Sequence, residues 1–266
     1  MGEFRIQTFR PGVSGVHGTL FMPVDTQPAV AALLIGGSGG NEPAYVAELL
    51  ARDGIAALSV AYFGQENLPP DLAEVDLGYF RSALSLLREL VGPRQLPIAV
   101  VGQSRGSEAA MLSAVHFGDL VDAVVVTVPS NVVLCGYPMG GPAWTLDGMP
   151  LPYADEFGPD CDNPEAIIAV ELVPAPIMFV SAGDDEVWPS APMALAMSER
   201  LRRHGDQRGH ELLEYPEATH SLGYLRPALP AGLVHGDLGD PAPTQAARAD
   251  AWPKVLRFIH RSRAAR

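Results

Sequence analysis

Lysine is almost missing from this 266-residue chain: of 18 basic side chains only Lys254 is a lysine, and 31 carboxylates bring the formal net charge to −13. So acidic a chain has no basic stripe with which to displace the counterions of a phosphate backbone, which argues against nucleic acid as a partner. Cysteine is scarce too. Cys135 and Cys161 are too few for a disulfide scaffold or a thiolate metal site, and free thiols suit a reducing compartment. No apolar run reaches the ~20 residues that cross a bilayer. The start, Met1-Gly2-Glu3-Phe4-Arg5, lacks the basic-then-apolar order of a secretory signal. Neither a Walker-type nor a dinucleotide-type glycine motif occurs. The expectation is a cytoplasmic protein working on a small molecule, with no membrane, metal or cofactor. Oligomeric state is left open, a homodimer included.

What is present is apolar and alternating. Hydrophobic residues make up 47% of the chain and charged ones 18%, enough for one large core. Residues 3–9 and 15–22 alternate in period two around Pro11-Gly12, predicting an antiparallel hairpin at a sheet edge. Apolar runs at 29–35, 55–60, 97–102, 121–128, 176–182 and 210–215 then alternate with helical patterns near 42–53, 73–90, 105–117, 190–204 and 244–262. That order predicts a single α/β domain over residues 1–266, its mostly parallel sheet covered by helices on both faces. From 129 to 174 the chain turns rich in Gly and Pro. A stretch this long suggests a cap whose Tyr137, Met139 and Trp144, with Trp188 beyond it, line an acyl pocket.

Chemistry enters at Gly102-Gln103-Ser104-Arg105-Gly106, where a strand pattern gives way to a helical one. This G-x-S-x-G sequence in that setting is a nucleophile elbow, a sharp turn that lifts a serine hydroxyl above the sheet. Serine needs a histidine base, and the base needs a carboxylate to hold its tautomer, in the chain order Ser, acid, His. The strand ending at Ser181 runs into Gly183-Asp184-Asp185-Glu186-Val187-Trp188-Pro189, and Asp185 is the preferred acid with Asp184 second. The strand ending at Tyr215 leads into Glu217-Ala218-Thr219-His220, so His220 is the base, with His235 the one rival. Oxyanion donors are expected from the N–H of Arg105 and that of Gly37 or Ser38 in the loop Gly36-Gly37-Ser38-Gly39-Gly40. An anionic substrate would call on Arg52, Arg105 or Arg226 within a repulsive field.

Several segments together resemble the catalytic domain shared by acyl-CoA thioesterases and bile acid-CoA:amino acid N-acyltransferases. These are the glycine loop, Ala57-Leu58-Ser59-Val60-Ala61-Tyr62-Phe63 with Leu68-Pro69, and Asp76-Leu77-Gly78-Tyr79-Phe80. Gly102 to Glu108 is similar to that family's G-x-S-K-G-G-E, Asp184 to Trp188 to its DD-x-x-W, and Tyr215 to His220 to its YP-x-A-x-H. The resemblance implies an α/β-hydrolase fold and the roles nucleophile Ser104, acid Asp185 and base His220. Eukaryotic members carry an additional N-terminal β-sandwich where this chain has a short hairpin. Members that conjugate amino acids tend to use cysteine, so a serine favours hydrolysis of an acyl thioester over transfer to an alcohol or amine. Dienelactone-type hydrolases and small esterases share the topology, and a non-catalytic binding protein on the same scaffold is the reading from another class.

Overall fold

The computed structural model describes residues 2–92, 96–155, 163–225 and 241–262; Phe157, Cys161, Arg226, His235 and most of the irregular stretch from Pro227 lie outside them. Strands β1 (Phe4–Phe9) and β2 (His17–Pro23) pair antiparallel, linked by the short helix α1 (Pro11–Ser14), where the sequence suggested only a turn at Pro11-Gly12. Then come β3 (Ala31–Ile35), α2 (Ala44–Arg52), β4 (Ala56–Ala61), β5 (Val75–Asp76), α3 (Gly78–Leu90), β6 (Ile98–Gln103) and α4 (Arg105–His116). The remainder is β7 (Ala123–Thr127), β8 (Trp144–Leu146), β9 (Met149–Pro150), β10 (Ile177–Ala182), α5 (Ser190–Arg203), β11 (Glu211–Tyr215) and α6 (Ala242–Arg261).

Eight strands form the main sheet in the order β1-β2-β4-β3-β6-β7-β10-β11, parallel from β4 onward. The central strands are short runs of Ala, Val, Leu and Ile with both faces buried, as a parallel sheet under two helical layers requires. On one face Val46, Leu50, Ala251, Val255 and Phe258 of α2 and α6 pack against the sheet; on the other Phe80, Leu84, Leu87, Met197 and Leu201 of α3 and α5 do so, with α4. The fold is that of an α/β hydrolase. In such a sheet reactive groups gather beyond the carboxyl ends of the strands.

The helix expected from 73 starts five residues later. Asp76 accepts the Gly78 amide at 2.8 Å, and Val75–Asp76 pairs with Trp144–Thr145 in a second sheet, β5-β8-β9. The 129–174 stretch is therefore tied down at several points, among them isolated bridges from Leu72 to Tyr137 and from Val132 to Ile167.

Candidate active site

The elbow between β6 and α4 is crowded on both flanks of Ser104. A Cβ at Gly102 would meet the Gly106 carbonyl oxygen at 2.3 Å, and one at Gly106 would meet those of Gly36 and Ile35 at 2.3 and 2.4 Å. The strand, the helix and the loop after β3 thus touch backbone to backbone, which only glycine permits. Ser104 itself has φ 53° and ψ −124°. A non-glycine residue held there costs roughly 1–3 kcal/mol, which the surrounding packing offsets.

β10 and β11 are neighbours, so the turns that follow them converge on the serine. His220 Nε2 lies 3.0 Å from Ser104 Oγ, and its Nδ1 lies 2.8 and 2.9 Å from the two carboxylate oxygens of Asp185. The Asp185 side chain is inaccessible to solvent and also accepts the amides of Val187 and Trp188 at 3.1 and 3.2 Å. Asp184, the other acidic candidate, is exposed and meets this assembly only through its backbone amide, bonded to the Ala218 carbonyl. With Asp185 on Nδ1–H, Nε2 is left as the acceptor that faces the hydroxyl.

The imidazole is held from several sides that the sequence did not reveal. Glu186 accepts the His220 amide at 3.1 Å. The Trp188 ring stands edge-on to it with centroids 4.9 Å apart. Arg248, 1% exposed, reaches from α6 to the Ser221 carbonyl, its Nε 3.0 Å away. A charged residue in register with buried Thr244, Ala251 and Val255 was a visible signal for that last contact.

The glycine loop runs beside Ser104: a Cβ on Gly37 would stand 3.1 Å from Ser104 Cβ. Its aim is set by Tyr62, 1% exposed, whose hydroxyl donates to the Gly36 and Gly37 carbonyls at 2.9 and 3.2 Å. Burial pushes the Tyr62 phenol well above its ordinary pKa, keeping it a donor. In a trans peptide the N–H points opposite to the C=O, so with both carbonyls turned to Tyr62 the amides of Gly37 and Ser38 point away from it. Nothing in the sequence distinguished this hydroxyl from any core tyrosine.

A cavity of about 600 Å³ opens over Ser104 and His220, with Gly37, Ser38 and Tyr137 in its walls. The other aromatic candidates lie elsewhere. Trp144 is fully buried against Tyr62 and Phe80, and its indole N–H donates to Glu108 at 2.9 Å, so it is core rather than acyl pocket. Trp188 is buried behind the histidine, its N–H on the Val128 carbonyl at 3.1 Å, and Met139 is 87% exposed and outside the cavity lining. The expected anion-binding arginines are engaged too. The Arg105 guanidinium, 3% exposed, is bound by Glu108 and the Leu134 and Cys135 carbonyls, while Arg52 pairs with Glu48. Burial raises the Glu108 pKa, and Arg105, the indole and the Leu134 amide pull it back. Among the described residues no cluster of three His, Cys, Asp or Glu has metal-ligand spacing, and no helix is long and apolar enough to cross a membrane.

Residues 158–265 match the family model described as BAAT / Acyl-CoA thioester hydrolase C terminal. Human acyl-coenzyme A thioesterase 6 is 29% identical over 95% of this chain and 66% of its own length. Rat acyl-coenzyme A amino acid N-acyltransferase 2 is 29% identical over 92% of this chain and 63% of its own. The chain thus spans less than two thirds of these curated relatives. A putative dienelactone hydrolase from Klebsiella pneumoniae superposes with a TM-score of 0.63 at 16% identity, over 97% of this chain and 99% of that one. Thioesterases and acyltransferases are therefore both among the relatives, and the neighbouring structure shares the fold. The chain is an α/β hydrolase by fold, and its residues 158–265 match the BAAT / acyl-CoA thioester hydrolase C-terminal family model.

Proposed function

We propose that this protein is a serine hydrolase that cleaves an acyl thioester through an acyl-enzyme intermediate. The observation that carries the reading is the continuous chain from Ser104 Oγ to His220 at 3.0 Å and on to Asp185 at 2.8 Å, opening on a cavity. His220 Nε2 takes the hydroxyl proton as Ser104 Oγ bonds to the thioester carbonyl carbon, and Asp185 stabilises the imidazolium that forms. The carbonyl oxygen becomes an oxyanion received by the N–H groups of Arg105 and of Gly37 or Ser38. On its collapse the C–S bond breaks and His220 returns the proton to the leaving thiolate. Water, deprotonated by the same histidine, then attacks the acyl-serine and releases the acid, restoring Ser104. The described residues of the 129–174 stretch act as a cap over this centre, with Tyr137 in the cavity wall.

A second reading has the same acyl-enzyme pass its acyl group to an amine or alcohol, and it is favoured by the N-acyltransferase among the relatives. Intact-protein mass during incubation with acyl-CoA thioesters and p-nitrophenyl esters, for wild type and Ser104→Ala, tests both. A Ser104-dependent acyl adduct or free acid from thioesters supports the hydrolase. Conjugates that form at the expense of free acid when amines or alcohols are added support the transferase. Turnover of simple esters alone makes it a carboxylic ester hydrolase, and no adduct or product from either class leaves a non-catalytic role.

A further inference from the structure

The described walls of the cavity over Ser104 are tyrosine rings, Pro43, the glycine loop and a few polar ends. Tyr45, Tyr137 and Tyr224 supply the rings, and Asn41, Glu42 and Gln103 the polar groups; no Leu, Ile, Val, Met or Phe is among the described residues that line it. Tyr45 and Tyr224 stand together, ring centroids 6.3 Å apart and tilted by 49°. Glu42, half-buried, lines the same cavity. Its Oε2 accepts from Ser59 Oγ at 3.1 Å, and its Oε1 lies 3.5 Å from His17 Nε2, so a carboxylate with room for about four hydrogen bonds keeps capacity for another donor.

We infer, resting on Ser104 as nucleophile, that the acyl group taken by this site is a compact hydroxylated aromatic ring rather than a long saturated chain. A polymethylene chain gains from burial only where it meets apolar surface. Among the described walls such a chain would meet no aliphatic side chain except Pro43, and it would cover Asn41, Glu42 and Gln103 while giving them no partner. An aromatic ring stacks offset on the tyrosines, and its hydroxyl offers Glu42 a further donor beside Ser59. A site with spare acceptor capacity favours the analogue that brings a donor, because without it that capacity is covered and left unfilled. The Glu42 charge likewise repels acyl groups that end in a carboxylate.

The test is kcat/KM for the CoA thioesters of 4-hydroxybenzoate, benzoate, a hydroxycinnamate, succinate, octanoate and palmitate. The hydroxylated aromatics should exceed octanoyl and palmitoyl by tenfold or more, and 4-hydroxybenzoyl should exceed benzoyl. Glu42→Gln should bring the 4-hydroxybenzoyl-to-benzoyl ratio toward one, and Tyr45→Leu should narrow the aromatic-to-octanoyl ratio, with melting temperature verifying that each variant folds. Fastest turnover of octanoyl or palmitoyl, or ratios unmoved in both folded variants, overturns the inference and leaves the hydrolase standing. If no thioester or ester of any class is cleaved in a Ser104-dependent way, the hydrolase reading falls and takes this inference with it.

Discussion

Replacing Glu108 by Gln probes the interior strut behind the nucleophile. Glu108 is wholly buried; Oε1 accepts Arg105 Nε at 2.6 Å, and Oε2 accepts the Leu134 amide at 3.0 Å and the Trp144 indole at 2.9 Å. Glutamine retains one acceptor oxygen and turns the other position into a donor that faces donors. The Arg105 charge, 3% exposed, loses its counter-charge and keeps the Leu134 and Cys135 carbonyls at 2.9 and 2.8 Å, with at most the one remaining amide oxygen. Removing one partner of a buried ion pair costs about 3–5 kcal/mol. The two surviving carbonyl contacts put this site near the lower end, about 3 kcal/mol. For a chain of this size that is a fall in melting temperature of roughly 6–12 °C, at 2–4 °C per kcal/mol. Urea denaturation of Glu108→Gln, Arg105→Met and the double variant gives both the loss and the coupling. A single-variant loss below ~1 kcal/mol, or costs that simply add in the double variant, would refute the strut, since partners in contact must couple.

Ser104→Ala should abolish acyl-enzyme formation seen by mass while leaving the fold intact. Asp185→Asn should lower kcat by about 10⁴-fold through the wrong imidazole tautomer; a loss under tenfold in stopped-flow turnover would remove Asp185 from its role. Tyr62→Phe should cut kcat about tenfold with KM little changed, because misaiming a donor costs part of the 10²–10³ that a lost one does; an equal rise in KM would argue for general distortion instead. Burial, then Arg208, lowers the His210 pKa to about 4, against the pull of Asp206 Oδ1 2.8 Å from its Nε2, while its Nδ1 accepts the Ile177 amide at 3.0 Å. The unfolded chain, with a histidine pKa of about 6.5, therefore binds the proton first. Stability should be complete above that value and decline as pH falls from there toward 4. His210→Gln should flatten that part of the stability curve, and an unchanged slope in chemical denaturation across it would exclude His210 as the source.

The repeating order of strands and helices was legible because a buried parallel sheet demands apolar runs and the helices that cover it demand a 3.6-residue period. The boundaries slipped where a side chain captured the backbone, as Asp76 does by taking the Gly78 amide and delaying α3. Ser104, Asp185 and His220 were legible as candidates because each sits at the end of a strand-like run, and the structure brings these three together. Trp144 was not. The Gly- and Pro-rich stretch reads as a cap over a pocket, which suits Tyr137, yet Trp144 turns into the core, where its indole donates to the buried Glu108. Tyr62 and Glu186 act on backbone groups far away in sequence, and such contacts leave no local pattern to read; Arg248 left one, a charge in the buried register of its helix.

The backbone at Ser104 gives the reactive residue a thermodynamic liability. At φ 53° and ψ −124° it occupies a conformation that glycine adopts freely, so the fold would be more comfortable without a side chain there. A Ser104→Gly protein should melt higher than wild type, despite losing its hydroxyl bond to His220. Random searches for thermal robustness would therefore drift toward inactive molecules at this position unless activity is selected alongside. The same variant would keep an undistorted, chemically inert cavity in which uncleaved ligands could be captured and seen.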